Sequence, residues 1–172
     1  IKTNIIGASM AIEAMINNNV KRLVYSSSMY VYSDKGSFYR ASKQAAEILI
    51  ESYSEKFDID YTILRYGSLY GSRSQNWNGI KKFIIEILNE NKVNYSGSGE
   101  EVREYINVID AAKLSVDVLN NDFINKAVII TGQQSLKVKD LFKIIFEILG
   151  KKENVIYEHK IQINDHYGST PY

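Results

Sequence analysis

Ile5, Met10, Ile12, Met15 and Ile16 recur at helical spacing, and Asn17, Asn18 and Asn19 then break the pattern. The apolar run from Val20 to Ser26, with Leu23, Val24 and Tyr25, predicts a short buried strand ending in Ser26, Ser27 and Ser28. A long helical stripe follows over Ser37 to Phe57, where Ala41, Ala45, Ile48 and Leu49 share a face. Asp58 opens a second strand, Tyr61 to Tyr66, closed by Gly67. A helix is predicted over Ile80 to Leu88, then a short strand near Val93, a turn at Gly97, Ser98 and Gly99, and a strand over Val102 to Val108. Asp110 is expected to cap a helix running through Leu119. Ala127 to Thr131 reads as a strand stopped by Gly132, and Ser135 begins a helix ending near Gly150. Apolar strands alternating with amphipathic helices predict an α/β sheet with crossovers.

Composition narrows the functions this pattern can serve. With 172 residues, 45% hydrophobic and 12% aromatic, the chain can bury a real core. Its charge of +1 comes from 21 basic and 20 acidic residues scattered along it, so the basic stripe needed to bind nucleic acid is missing. The absence of cysteine excludes disulfides and thiolate metal sites, which fits a cytoplasmic setting. His159 and His166 have no Asp or Glu at ligand spacing, so no metal site is expected. No apolar run approaches the roughly 20 residues that cross a bilayer, and the first residues do not read as a signal peptide. Ile1 to Asn4 leads straight into helical periodicity, which suggests a chain that begins inside a longer protein.

The chemistry is concentrated between Ser26 and Lys43. Ser26, Ser27 and Ser28 end a strand, and Tyr39 and Lys43 follow four apart at the start of a helix, on one helical face. In an open α/β sheet the working crevice lies at the carboxyl ends of the strands, so hydroxyl, phenol and ammonium are expected to converge there. A tyrosine serving as a base at neutral pH needs its pKa lowered by about 3 units, or roughly 4 kcal/mol. An ammonium about 4 Å away supplies roughly that energy at an effective dielectric of about 20, against the cost of desolvating the phenolate. Alone, Tyr-x-x-x-Lys reads as an ordinary half-exposed helix face, so its context decides.

That context resembles the extended short-chain dehydrogenase/reductases, in particular the NAD-dependent epimerase/dehydratase branch, over nearly the whole chain. Val24-Tyr25-Ser26-Ser27-Ser28-Met29-Tyr30-Val31-Tyr32 resembles the serine strand of that branch, and Tyr39-Arg40-Ala41-Ser42-Lys43 its Tyr-x-x-x-Lys. Leu64 to Gly71 resembles the segment that passes the nicotinamide, and Gly97 to Asp110 the late substrate-side segment. The resemblance implies the later part of a Rossmann-like, doubly wound parallel sheet with a smaller C-terminal α/β substrate-binding region. Residues 1–72 would carry the Ser/Tyr/Lys site. Residues 73–172 would be mainly substrate-binding, with some segments returning to the first part.

It also implies roles residue by residue. Ser28 would orient the reacting sugar hydroxyl or carbonyl, with Ser27 the next candidate, Tyr39 would be the acid/base, and Lys43 would lower the pKa of Tyr39 and bind the nicotinamide ribose. Ser26, Ser27, Tyr66, Gly67, Ser68 and Leu69 would border NAD or NADP. Arg103 and Ser68 would meet the nucleotide-sugar, Arg103 as a planar fork for its diphosphate. The bland alternative for Arg103 is a surface charge. At Ser68 the epimerases usually carry Asn, a departure that bears on substrate. His166 to Tyr172 resembles a late substrate-domain stretch of reductases from surface-polysaccharide gene clusters. Trp77 is expected to pack in its loop, with the lining of a substrate pocket as the alternative.

The glycine-rich loop that cradles a pyrophosphate is not in the sequence: after Gly97-Ser98-Gly99, Val102 stands at the third glycine position. Cofactor preference is therefore unreadable, and the cofactor-binding start of the fold is expected to lie outside this chain. A 4,6-dehydratase of the branch this chain resembles needs an acidic pair directly after its serine or threonine, and Met29 and Tyr30 stand there instead. That leaves epimerisation at C4, keto-sugar reduction as the alternative, and a dinucleotide-binding sensor as a third class whose relatives lose the Tyr and Lys retained here. A homodimer is the candidate assembly.

Overall fold

The computed structural model describes residues 1–158. His159, His166 and the stretch resembling polysaccharide reductases lie outside the described residues. A π-helical turn (Lys2–Ile6) leads into α1 (Gly7–Asn17), β1 (Arg22–Ser28), a 310 turn (Met29–Tyr32), α2 (Ser37–Phe57), β2 (Asp60–Tyr66), β3 (Ser68–Tyr70) and α3 (Gly79–Glu90). Then come β4 (Val93–Tyr95), β5 (Val102–Asn107), α4 (Val108–Asp117), a second 310 turn (Asn121–Phe123), β6 (Lys126–Ile130), β7 (Ser135–Lys137), α5 (Val138–Ile148) and β8 (Val155–Tyr157).

The apolar strands β1, β2 and β6 pair in parallel in the order β1-β2-β6. Their register sets Ser28 opposite Tyr66, and Tyr66 opposite Ile130, so three strand ends line up on one edge. Alternation along β1 divides its side chains between two cores. Leu23 and Tyr25 pack with Ile12, Ile50 and Ile59 beneath α1 and α2. Val24 packs with Leu64, Ala111, Val118 and Ile130 beneath α4. This is a Rossmann-like layering of helices on both faces of a parallel sheet. A third core, centred on Phe142 and Phe146, joins α5 to α3 and β4. No helix among the described residues is long and apolar enough to cross a membrane.

Several local expectations are corrected. Asn107, not Asp110, caps α4: its side chain accepts from the Ile109 amide at 2.9 Å, and Asp110 lies within the first turn. Ser135 begins no helix. Ser135–Lys137 pairs antiparallel with β5, and α5 starts at Val138. Asp58 ends α2 in a left-handed conformation (φ 50°) before β2 begins. Trp77, expected to pack in its loop, is 80% exposed. Strands β3 and β8 were not foreseen, since three residues carry no readable periodicity and each forms on a distant partner, β5 and β4.

Two glycines let the main sheet pass close to β5. A Cβ on Gly67 would stand 2.3 Å from Thr131 Oγ1, and one on Gly132 would stand 2.1 Å from the Tyr105 carbonyl oxygen. Backbone cannot swing aside as a side-chain tip can, so Gly132→Ala is expected to cost about 1–3 kcal/mol. Urea unfolding reads this as a lower midpoint at constant slope. A wild-type midpoint would show that the approach of β5 is not tight.

Candidate active site

β1 delivers its three serines at the sheet edge, each to a different neighbour. The Ser26 carbonyl accepts from Lys43 Nζ at 2.7 Å. Ser27, turned with Tyr25 toward α2 by strand alternation, donates its hydroxyl to Glu47. The proton of that hydroxyl is thus engaged by Glu47. Ser28 is buried and accepts at 3.3 Å from the Tyr30 amide, capping the 310 turn. An accepting hydroxyl keeps its own proton available to donate.

Tyr39 and Lys43 reach this edge from the first turns of α2. Gly36 stands at the N-cap with φ +91°, where a Cβ would come within 2.4 Å of the Tyr30 ring, so glycine leaves that ring its place. The Tyr30 ring then packs edge-on against Tyr39, with centroids 5.7 Å apart. Tyr30 thus bridges Ser28, through its amide, to Tyr39, through its ring. Asn4, in the π-helical turn, donates to the Ser42 hydroxyl at 2.9 Å and ties the chain start to α2 beside Lys43. Lys43 Nζ lies 4.9 Å from the centroid of Tyr25 and 6.0 Å from that of Tyr39. Tyr39 itself is 46% exposed.

The electrostatics separate the two phenols. Tyr25 Oη is buried without a hydrogen-bond partner among the described residues. Its pKa is pushed up to about 12, first by burial, then by the Glu47 carboxylate and Tyr39, so Tyr25 stays a neutral phenol. Burial lowers the pKa of Lys43, and Glu47 works in the opposite direction.

The remaining expected residues are spread from this edge to the second sheet. Tyr66 ends β2 opposite Ser28, and its hydroxyl shares a 2.6 Å hydrogen bond with Ser115 of α4. Ser68 and Leu69 continue into β3 and pair with Tyr105 and Ile106. Arg103 lies on β5, in the second sheet, where Nη1 donates to the Val102 carbonyl at 2.9 Å. A cavity of about 840 Å³ between α4 and α5 is lined by none of Ser28, Tyr39 and Lys43, so volume alone does not mark the chemistry. The sequence reading missed Glu47 and Arg65, which meet beside Ser27. The available signal was spacing: Glu47 follows Lys43 by four, as Lys43 follows Tyr39.

The sequence matches the family described as NAD dependent epimerase/dehydratase over residues 1–130. It is 30% identical over 175 residues to a putative UDP-glucose 4-epimerase of Methanocaldococcus jannaschii, covering 90% of this chain and 56% of that protein. It is 26% identical over 168 residues to a UDP-glucuronate 4-epimerase of Thermodesulfobacterium geofontis, covering 88% of this chain and 51% of that protein. The chain thus spans about half the length of these curated relatives. The crystal structure of the Thermotoga maritima UDP-glucose 4-epimerase with UDP-glucose superposes with a TM-score of 0.88 at 26% identity, covering 98% of this chain and 60% of that one. Serine strand, Tyr-x-x-x-Lys helix, fold and family match agree, and the chain belongs to the NAD dependent epimerase/dehydratase family.

Proposed function

We propose that the full-length protein is an NAD-dependent 4-epimerase of a nucleoside-diphosphate sugar, working in the cytoplasm, where such sugars are made and used. The observation that carries this reading is the cluster of Ser28, Tyr39 and Lys43 around Tyr30 and the Ser26 carbonyl, at the carboxyl edge of a parallel sheet. The family and the epimerases above, one of them holding UDP-glucose, support both the cofactor and the substrate class.

The residues present fit the ribose and nicotinamide half of a dinucleotide. Lys43 uses one of its three N–H donors on Ser26, leaving two for ribose hydroxyls. NAD held there would supply reversible hydride acceptance. Tyr39, as phenolate, takes the proton of the sugar C4 hydroxyl and later returns one to the C4 oxygen, and the ammonium of Lys43 stabilises the phenolate that precedes the first transfer and follows the second. Ser28 donates its free proton to the same oxygen and so orients it. Arg103 offers a bidentate fork to the diphosphate. Met29 and Tyr30, where a dehydratase needs acids, leave no acid/base pair for elimination of water.

A panel of UDP-, dTDP- and GDP-sugars with NAD and NADP tests the reading. The expected result is a UDP-sugar inverted at C4, with NAD and without net change of cofactor. Stoichiometric consumption of NADH or NADPH would replace it with a keto-sugar reductase. Tight dinucleotide binding without turnover across the panel would replace it with a sensor.

A further inference from the structure

Among the described residues Glu47 is the one buried charged side chain, 6% exposed. It shares the face of α2 that carries Tyr39 and Lys43. Its Oε1 accepts from the Ser27 hydroxyl and, at 3.2 Å, from Arg65 Nε, and its Oε2 accepts from Arg65 Nη2 at 2.6 Å. Arg65 is held in turn, since Nη1 donates to the Tyr32 hydroxyl and the guanidinium lies 4.6 Å from the centroid of the Tyr32 ring. Residues from β1 and β2 therefore converge on one carboxylate of α2, with Tyr32 of the first 310 turn behind Arg65. Ser27 adjoins Ser26, whose carbonyl is the acceptor for Lys43. A group that fixes Ser27 fixes that carbonyl as well.

We propose that Glu47 is the positioning residue of Lys43: it pins the end of β1 to α2 through Ser27, so that the Ser26 carbonyl stands under the ammonium, and it sets a carboxylate one helical turn from that ammonium. The assignment rests on the reaction proposed above. Burial acts against the charge on Lys43, and Glu47 is the group that opposes burial. The titratable groups about Lys43 are Tyr25 of β1 and Tyr39 and Glu47 of α2. Behind Glu47 stand Arg65 and Tyr61 of β2 and Tyr32 of the 310 turn. The π-helical turn and α1 meet α2 through the Asn4 amide on Ser42 and Glu13 on Tyr53.

The same geometry would serve a plain staple between strand and helix, so the test must read Lys43 itself. In the whole chain labelled at lysine with 13C and 15N, NMR follows the titration and proton exchange of the Lys43 ammonium, its signal assigned by loss in Lys43→Arg. Glu47→Gln keeps the shape and removes the charge, and is expected to move the Lys43 midpoint to lower pH. Glu47→Asp keeps the charge and is expected to stay nearer wild type. A Glu47→Gln chain that melts cooperatively with an unmoved Lys43 midpoint overturns the proposal. Should that variant not fold, Ser27→Ala removes one hydroxyl and leaves both charges: faster exchange of the Lys43 ammonium protons is expected, and wild-type exchange overturns the positioning role. The titration needs neither substrate nor cofactor. Absence of turnover in the full-length protein would therefore sink the epimerase reading without touching this result.

Discussion

Tyr39→Phe in the full-length protein is expected to cut turnover by about 100- to 10,000-fold while leaving dinucleotide affinity nearly unchanged, the range typical of losing an acid/base group. The substitution removes one oxygen and keeps the ring that packs edge-on against Tyr30 at 5.7 Å. At 46% exposure the phenol makes little of the core, so melting temperature is expected to hold. The Lys43 bond to the Ser26 carbonyl does not pass through Tyr39 and should survive. Single-turnover assays with the preferred sugar separate loss of chemistry from loss of binding. Unchanged turnover in Tyr39→Phe would rule out the mechanism, and Tyr25, buried and held as a neutral phenol, offers no substitute base.

The largest loss of stability is expected from Arg65→Met. The pair it forms with Glu47 is enclosed, with side-chain exposures of 18% and 8% and a separation of 2.6 Å. Removing the guanidinium strands a carboxylate away from water, which costs about 3–5 kcal/mol. For a chain of this length that is a fall of roughly 10 °C in melting temperature. The double variant Arg65→Met with Glu47→Leu should recover most of the loss, because two apolar side chains leave no charge to solvate. Lys35→Met is the control. Its ion pair with Asp34 spans 3.7 Å at 47% and 83% exposure, where pairs contribute at most about 1 kcal/mol. If Arg65→Met unfolds in urea no more easily than that control, Glu47 is solvated and the buried network is not what joins β1 to α2.

The outcome at each position follows how local its cause is. Helices α1, α2, α3 and most of α5 were legible because an apolar stripe of helical period states both the element and its inward face. The Tyr39 and Lys43 pair was legible for the same reason, since four residues along a helix is a spatial distance as well as a spacing. Triple serine after an apolar run marked a strand end whatever its neighbours were. Cap choice at α4 was less readable: Asn107 and Asp110 are both good caps, and the backbone turn at Asn107, where β5 ends, decided between them.

Long-range pairing was not legible at all. Ser135-Leu136-Lys137 became a strand because β5 offered it an edge, and nothing within those residues announces a partner some thirty positions earlier. Glu47 and Arg65 stand 18 residues apart, and each alone reads as a solvated charge on its element. Only the parallel register of β1 and β2, which sets Ser27 beside Arg65 under α2, turns them into one buried group. The sequence by itself determined the class of fold, the family and the residues able to carry proton transfer, since those depend on residue type and short spacing. The tertiary structure decided which serine faces Glu47, which phenol is buried, and where Lys43 rests, because burial and hydrogen-bond partners belong to surfaces that meet only when the chain has folded.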